Sequence, residues 1–301
     1  MRKIVIGFDG SEGSEDALRL GTAIAQAESA ELVVAAALAY DPLPIAAEAY
    51  DQALAEHFDQ LFAQVEHQLP GVEFVRRELR DASPGQALTD LADAEGTDMI
   101  VLGSTHRGKL GRVYPGSVGE RLLNGAPCAV AIAPRGYARR EHYGLGVIGV
   151  GYDGTQESQL ALAEAERLAE QLKASLRLIA VVPPVPVTPS RISHTEVGYT
   201  DVLRRHFRDV LDVGASKLGY ATAVEAVLEE GDPAAALAAQ GVELDLLVIG
   251  SRGYGPVRRA LLGGVSAEVM RTAPCPVIVV PRASTRKPSD PPAKVASATS
   301  S

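Results

Sequence analysis

The sequence predicts an α/β protein of two tandem doubly wound units, each a five-stranded parallel sheet with helices on both faces. Three observations lead there. The chain repeats itself, its apolar segments alternate between strand length and helix period, and its 301 residues slightly exceed the roughly 250–300 that one hydrophobic core serves.

The repeat is visible residue by residue. Ile4-Val5-Ile6-Gly7-Phe8-Asp9-Gly10-Ser11 returns as Ile148-Gly149-Val150-Gly151-Tyr152-Asp153-Gly154-Thr155, shifted by 144. Asp98-Met99-Ile100-Val101-Leu102-Gly103-Ser104 returns as Asp245-Leu246-Leu247-Val248-Ile249-Gly250-Ser251, shifted by 147. Ala126-Pro127-Cys128 returns as Ala273-Pro274-Cys275 at the same shift of 147, ahead of another apolar run. The drift between offsets falls in connections, where insertions are tolerated.

In the first unit the strands are expected near 3–8, 31–38, 72–78, 98–103 and 129–133, with helical patterns over 14–28, 48–68, 84–94 and 117–124. The first, fourth and fifth strands are unbroken apolar runs, as when helices cover both sheet faces. In the second unit the strands fall near 147–152, 176–182, 223–228, 245–250 and 277–280. Strand alternating with helix implies right-handed crossovers and parallel pairing. Units at 1–135 and 147–283 are therefore expected, joined by a linker at 136–146 and followed by a disordered Pro/Ser/Lys-rich tail at 284–301. The proline-bearing stretches after strand 2 (Asp41-Pro42-Leu43-Pro44, and Pro183 through Thr200) read either as lids or as plain loops.

Composition narrows the function classes. A net charge of −9 argues against a general nucleic-acid binder. No apolar stretch reaches the ~18 residues of a membrane span, and the chain starts directly in a strand, so a cytoplasmic protein is expected. Two cysteines make neither a disulfide framework nor a zinc site, and both read as small buried hydrophobes. His57-Phe58 and His206-Phe207 read as exposed histidines beside packed phenylalanines. The other histidines lack ligand spacing, so no protein-derived metal site is expected.

In open α/β sheets ligands bind beyond the carboxyl ends of the strands, at the switch point. Strand 1 ends there at Asp9-Gly10-Ser11 and Asp153-Gly154-Thr155, a sequence that also caps turns. Strand 4 runs into glycine-rich loops, 103–117 and 250–266, whose backbone N–H groups and following helix starts favour anions. The loops are basic within an acidic chain: Arg107, Lys109, Arg112 and Arg121 stand against Glu120, and Arg252, Arg258, Arg259 and Arg271 against Glu268. Two familiar motifs fail. Gly149-Val150-Gly151-Tyr152-Asp153-Gly154 fits a dinucleotide fingerprint, but its first two glycines lie inside the strand. Gly103 through Leu110 resembles a P-loop with leucine in place of the magnesium-binding hydroxyl. Serine-nucleophile readings also fail, since no G-x-S-x-G elbow occurs.

A strand-1 aspartate combined with a strand-4 loop of pattern G-x2-G-x9-G-(S/T), occurring twice, resembles the universal stress protein family in its tandem form, over 1–134 and 147–281. The resemblance implies Rossmann-like domains of the adenine-nucleotide α-hydrolase-like type. It further implies that they bind ATP, with any Mg2+ held by the phosphates, and show little or no hydrolysis. Pairing through strand 5 is implied too, as a homodimer or as an intramolecular pseudo-dimer. Carried over by position, Asp9 and Asp153 approach the adenosine, and Ala37 and Val181 offer backbone groups to adenine. Gly103, Gly116, Ser117 and Val118 line the phosphate path in the first unit; Gly250, Gly253, Gly263, Gly264, Val265 and Ser266 do so in the second. His106 replaces the motif's second glycine, and Gly264 replaces its Ser/Thr. Three functions compete: a nucleotide-binding stress or regulatory protein, a slow ATPase or nucleotidyl/phosphoryl-transfer enzyme using the same loops, and a nucleotide-free scaffold assembling through strand 5.

Overall fold

A computed structural model describes residues 1–39, 47–140, 144–184, 195–219, 223–251 and 263–282. The first unit runs β1 (Lys3–Gly7), α1 (Glu12–Ala27), β2 (Glu31–Ala39), α2 (Ala47–Gln68), β3 (Val75–Asp81), α3 (Pro84–Glu95), β4 (Met99–Gly103), α4 (Ser117–Leu123) and β5 (Ala129–Ala133). The second runs β6 (Val147–Gly151), α5 (Gln156–Leu172), β7 (Ser175–Val182), α6 (Thr195–Ser216), β8 (Val224–Glu230), α7 (Pro233–Gln240), β9 (Leu246–Gly250), α8 (Gly264–Thr272) and β10 (Val277–Val280).

All ten strands form one sheet in the order β3-β2-β1-β4-β5-β10-β9-β6-β7-β8. Pairing is parallel within each unit. At the junction, β5 and β10 pair antiparallel, with Val130 opposite Val279 and Ala131 opposite Ile278. The two units are thus related as the halves of a pseudo-dimer, and both strand-5 edges are consumed inside the chain.

Alternation along the strands explains the layers. Ile4, Ile6, Met99 and Val101 face a core built with Leu18 and Ile24 of α1 and Phe58 and Phe62 of α2. Val5, Ile100 and Leu102 face the opposite core with Leu88 of α3 and Leu122 of α4. Both cores continue into the second unit through the β5–β10 pair. On one face the units also meet through ions. Glu28 at the end of α1, with its side chain 1% exposed, lies 3.1 Å from Arg2 and 2.7 Å from Arg167 of α5. Glu164 completes the cluster, 2.9 Å from Arg2.

Two strands differ from expectation. β3 begins at Val75 rather than near 72, and β8 extends to Glu230. In β3 the ladder runs through alternately exposed Arg76, Glu78 and Arg80, while the apolar Val72 and Phe74 pack on the core just before it. The edge position of these strands suits their charge, which discourages pairing with other chains. The stretch expected as a linker is tied down where described: a 3-10 turn over Tyr137–Arg139 sits on α1, where buried Asp16 accepts the N–H groups of Gly136 and Ala138 at 2.7 Å each. The tail at 284–301 and most of the proline-bearing stretches (40–46 and 185–194) lie outside the described residues. Both cysteines are buried, and burial pushes the Cys275 thiol up to about 12. His57 is exposed beside fully buried Phe58, and His206 stacks edge-on against Phe207 at 5.5 Å.

Candidate functional site

Each unit has its switch point where strand order reverses between its first and fourth strands, β1/β4 and β6/β9. A crevice opens there in both. The first, of 730 Å3, is lined by Asp9, Ala37, Gly103, His106, Gly116, Ser117 and Val118 among others. All seven positions expected for the first unit therefore converge. The second crevice is lined by Asp153, Val181, Gly250, Val265 and Ser266. Gly263 and Gly264 open α8 at its edge, and Gly253 lies outside the described residues.

The strand-1 aspartates hold a turn. Asp9 Oδ1 accepts the Ser11 N–H (3.0 Å) and hydroxyl (2.6 Å), and Ser11 caps α1 by accepting from the Ser14 N–H (3.3 Å). Asp153, Thr155 and Ser158 repeat this at the start of α5. Gly10 and Gly154 permit the turn with φ of +77° and +78°. The turn-capping reading is thus realised, and the same aspartates face the crevices.

Glycines around the crevices have different causes. A Cβ on Gly103 would lie 1.6 Å from the Gly13 carbonyl oxygen, and one on Gly250 would lie 2.6 Å from that of Glu157. These two residues let the start of the following helix approach the strand end. Gly116 and Gly264 have no such reason. A Cβ on Gly116 meets nothing nearer than Thr105 at 3.6 Å, one on Gly264 meets nothing within 4 Å, and neither φ is positive. The starts of α4 and α8, with Gly116 and Gly263 as N-caps, lack a side-chain cap. Residues of both helix starts line the crevices, Gly116, Ser117 and Val118 in the first and Val265 and Ser266 in the second.

Two loop details depart from expectation and a third is new. His106, in the place of the motif's second glycine, has no positive φ: among the described residues only Ser29 and Lys173 are non-glycines with positive φ. Ser266 turns its buried hydroxyl to the Gly250 carbonyl (3.0 Å), leaving only its amide for a ligand. The basic pattern also disperses. Arg112 donates to the Thr272 carbonyl of the second unit (2.6 Å), and Arg121 donates to Gln86 on α3 (2.8 Å). Of the first loop's four cations, only Arg107 lines the crevice. Arg252, Arg258 and Arg259 lie outside the described residues. Sequence reasoning missed Arg135, the last residue it gave to the first unit. Arg135 lines the first crevice, and its Nη1 donates to the carbonyls of His106 (3.2 Å) and Gly108 (3.1 Å). The signal was present in the repeat, because Pro134-Arg135 recurs as Pro281-Arg282.

Paired doubly wound units, each with a crevice at its switch point, define a class of tandem α/β proteins with ligand-type clefts. The chain belongs to the universal stress protein family, whose family model matches residues 1–134 and 145–281. A universal stress protein of Mycobacterium tuberculosis is 26% identical over 292 residues, covering 92% of this chain and 99% of the relative. One from Mycolicibacterium smegmatis is 30% identical over 210 residues, 68% of each chain. The crystal structure of a universal stress protein from Archaeoglobus fulgidus superposes with a TM-score of 0.67 at 20% identity, covering 93% of this chain and 98% of that one. Among the described residues no helix is long and apolar enough to cross a membrane.

Proposed function

We propose that each crevice binds an adenine nucleotide, ATP with any Mg2+ held by its phosphates, and that the protein acts in the cytoplasm as a nucleotide-dependent stress or regulatory protein with little or no hydrolysis. One observation carries this reading. Gly116 and Gly264 are glycines that neither backbone conformation nor internal packing requires, placed at helix starts without side-chain caps. Glycine inside a helix costs roughly 0.5–1 kcal/mol relative to alanine. That cost falls on Gly264 in the first turn of α8, whereas Gly116 is the N-cap of α4, a position glycine fills without it. A cradle left open at that cost, beside unsatisfied N–H groups, fits a phosphate chain. Asp9 and Asp153, which line the two crevices after the first strands, would meet the ribose, and Ala37 and Val181 of the second strands would meet the base.

Nucleotide occupancy would bias the conformation or association of the chain through its preference for one state. Calorimetric titration with ATP and Mg2+ tests the reading: saturable binding, lost when Gly116→Asp and Gly263→Asp are combined, supports it. Unchanged affinity in that double variant overturns the site. Release of ADP or AMP well above the same variant would favour the enzymatic alternative. A scaffold joined through strand 5 is less favoured, since β5 and β10 already pair with each other.

A further inference from the structure

Resting on the nucleotide reading above, we propose that Arg135 is the anion-recognising side chain of the first crevice, making that crevice selective for polyphosphate, while its repeat counterpart Arg282 is neutralised in the second. Arg135 and Arg282 stand 147 residues apart, the same offset that relates the two strand-4 motifs. Each follows its unit's last strand. Their surroundings differ in one decisive respect.

Arg135 is half-buried and held by neutral acceptors. Its Nη1 donates to the His106 and Gly108 carbonyls, and its own backbone pairs with the loop through Arg135 N to Arg112 O (3.0 Å) and Gly111 N to Arg135 O (2.8 Å). Carbonyls aim a guanidinium without cancelling its charge. Among the described residues, no carboxylate lies within 4 Å of it. The acidic residues lining this crevice are engaged elsewhere: Glu12 pairs with Arg139 at 2.6 Å, Glu120 lies 4.0 Å from Arg271, and Asp9 holds the Ser11 turn. A partly desolvated, aimed and unneutralised guanidinium with free donors is matched by phosphate oxygens.

Arg282 pairs with Glu157 at 3.4 Å, and the Glu157 side chain, only 16% exposed, also lines the second crevice. The first unit has Gly13 at the position of Glu157, at the repeat's N-terminal shift of 144. The first crevice therefore has a bare cation in its lining, whereas the cation after the second unit's last strand is held by a carboxylate that lines the second crevice.

The test uses the full chain and reads each crevice separately, with Gly263→Asp silencing the second and Gly116→Asp the first. ATP, adenosine and inorganic tripolyphosphate are titrated by calorimetry. In the first crevice, Arg135→Gln weakens ATP and tripolyphosphate by about tenfold, as expected for a charge-assisted contact, and leaves adenosine unchanged. Arg135→Lys, which keeps the charge but not the fork, restores part of the loss, and unchanged adenosine binding in both variants sets the effect apart from lost loop bracing. In the second crevice, Glu157→Gln frees Arg282 and tightens ATP by about fivefold.

Equal ATP affinity in Arg135→Gln, or an equal loss for adenosine and ATP, overturns the inference while the nucleotide reading stands. Binding of tripolyphosphate that weakens in Arg135→Gln, with no response to ATP or adenosine, upholds Arg135 and overturns the nucleotide reading. Silence of all three probes overturns both.

Discussion

The backbone N–H of Val113 donates to the carbonyl of Ala273 at 2.9 Å, across the junction between the two units. Val113 belongs to the loop that walls the first crevice, and Ala273 ends α8, whose opposite end borders the second. Because β5 and β10 run antiparallel, the tail of one unit's last helix comes to the carboxyl edge of the other unit's sheet. Arg112 adds its guanidinium to the Thr272 carbonyl there, and Arg140 reaches the Pro274 carbonyl (2.8 Å). The loop of one crevice is therefore built partly on the other unit.

Arg112→Ala should remove one exposed contact of this seam and no nucleotide contact. A net loss of about 1 kcal/mol follows for a hydrogen bond made in partial contact with water. Urea unfolding should show a lower midpoint, with ATP affinity at either crevice within twofold. A large loss of ATP affinity would instead place Arg112 in the crevice.

Asp16 should anchor the connection between units. Its two carboxylate oxygens accept from Gly136 and Ala138, and burial raises its pKa against those bonds and Arg139. Asp16→Asn turns an NH2 group toward one of the two N–H donors, leaving it unpaired in a buried site. The cost should be about 2 kcal/mol, given that the lost acceptor is charged. Limited proteolysis reads this directly, with faster cleavage after Arg139 or Arg140 than in the wild type.

Two carboxylates should respond to pH with opposite sign. Burial among the helix ends raises the Glu28 pKa above the usual 4.5, only partly opposed by Arg167 and Arg2. The native state then holds this proton more tightly than the unfolded chain, so its contribution is full below 4.5 and is lost as pH rises through the folded value. Glu95 is the reverse: the Arg77 hydrogen bond, with help from Lys3, lowers its pKa below 4.5, and its contribution is present above that value and lost in acid. Unfolding curves across the acidic-to-neutral range should show Glu28→Gln gaining on the wild type as pH rises. Glu95→Gln should fall behind it over the same range, and parallel curves for all three chains would contradict both assignments.

The parts legible in the sequence were those a single strand or turn determines. Asp9-Gly10-Ser11 and its copy specify a turn and a cap by themselves, and the unbroken run Met99-Ile100-Val101-Leu102 marks a strand covered on both sides. β3 was placed too early because its hydrophobic signal, Val72 and Phe74, lies outside the ladder, while hydrogen bonding continues through charged edge residues. The crevice residues converge because a doubly wound order forces the ends of the first and fourth strands together. Charge was the poorest guide. Arg112 and Arg121 count as loop cations in sequence, yet folding directs them to Thr272 and Gln86, whereas Arg135 reaches the crevice from the far side of β5. Those directions depend on contacts between segments far apart in the chain, which local pattern does not encode.

Gly103 and Gly264 should separate structural glycine from ligand-making glycine. Alanine at 103 would place Cβ 1.6 Å from the Gly13 carbonyl oxygen, a backbone atom that can yield only if α1 shifts from β4. Severe loss is expected, on the order of 3 kcal/mol or more by analogy with overpacked cores, with the thermal midpoint dropping accordingly. Alanine at 264 meets nothing within 4 Å and stands in the first turn of α8, where it should raise stability by about 0.5 kcal/mol by restricting the unfolded chain. The same methyl group would enter the open space where the proposed nucleotide's phosphates would lie, and should weaken ATP at the second crevice. A thermal melt and an ATP titration on each variant give four readings. Stability and affinity should move together for Gly103→Ala and in opposite directions for Gly264→Ala, and an undiminished ATP affinity in the latter would remove the reason offered here for that glycine.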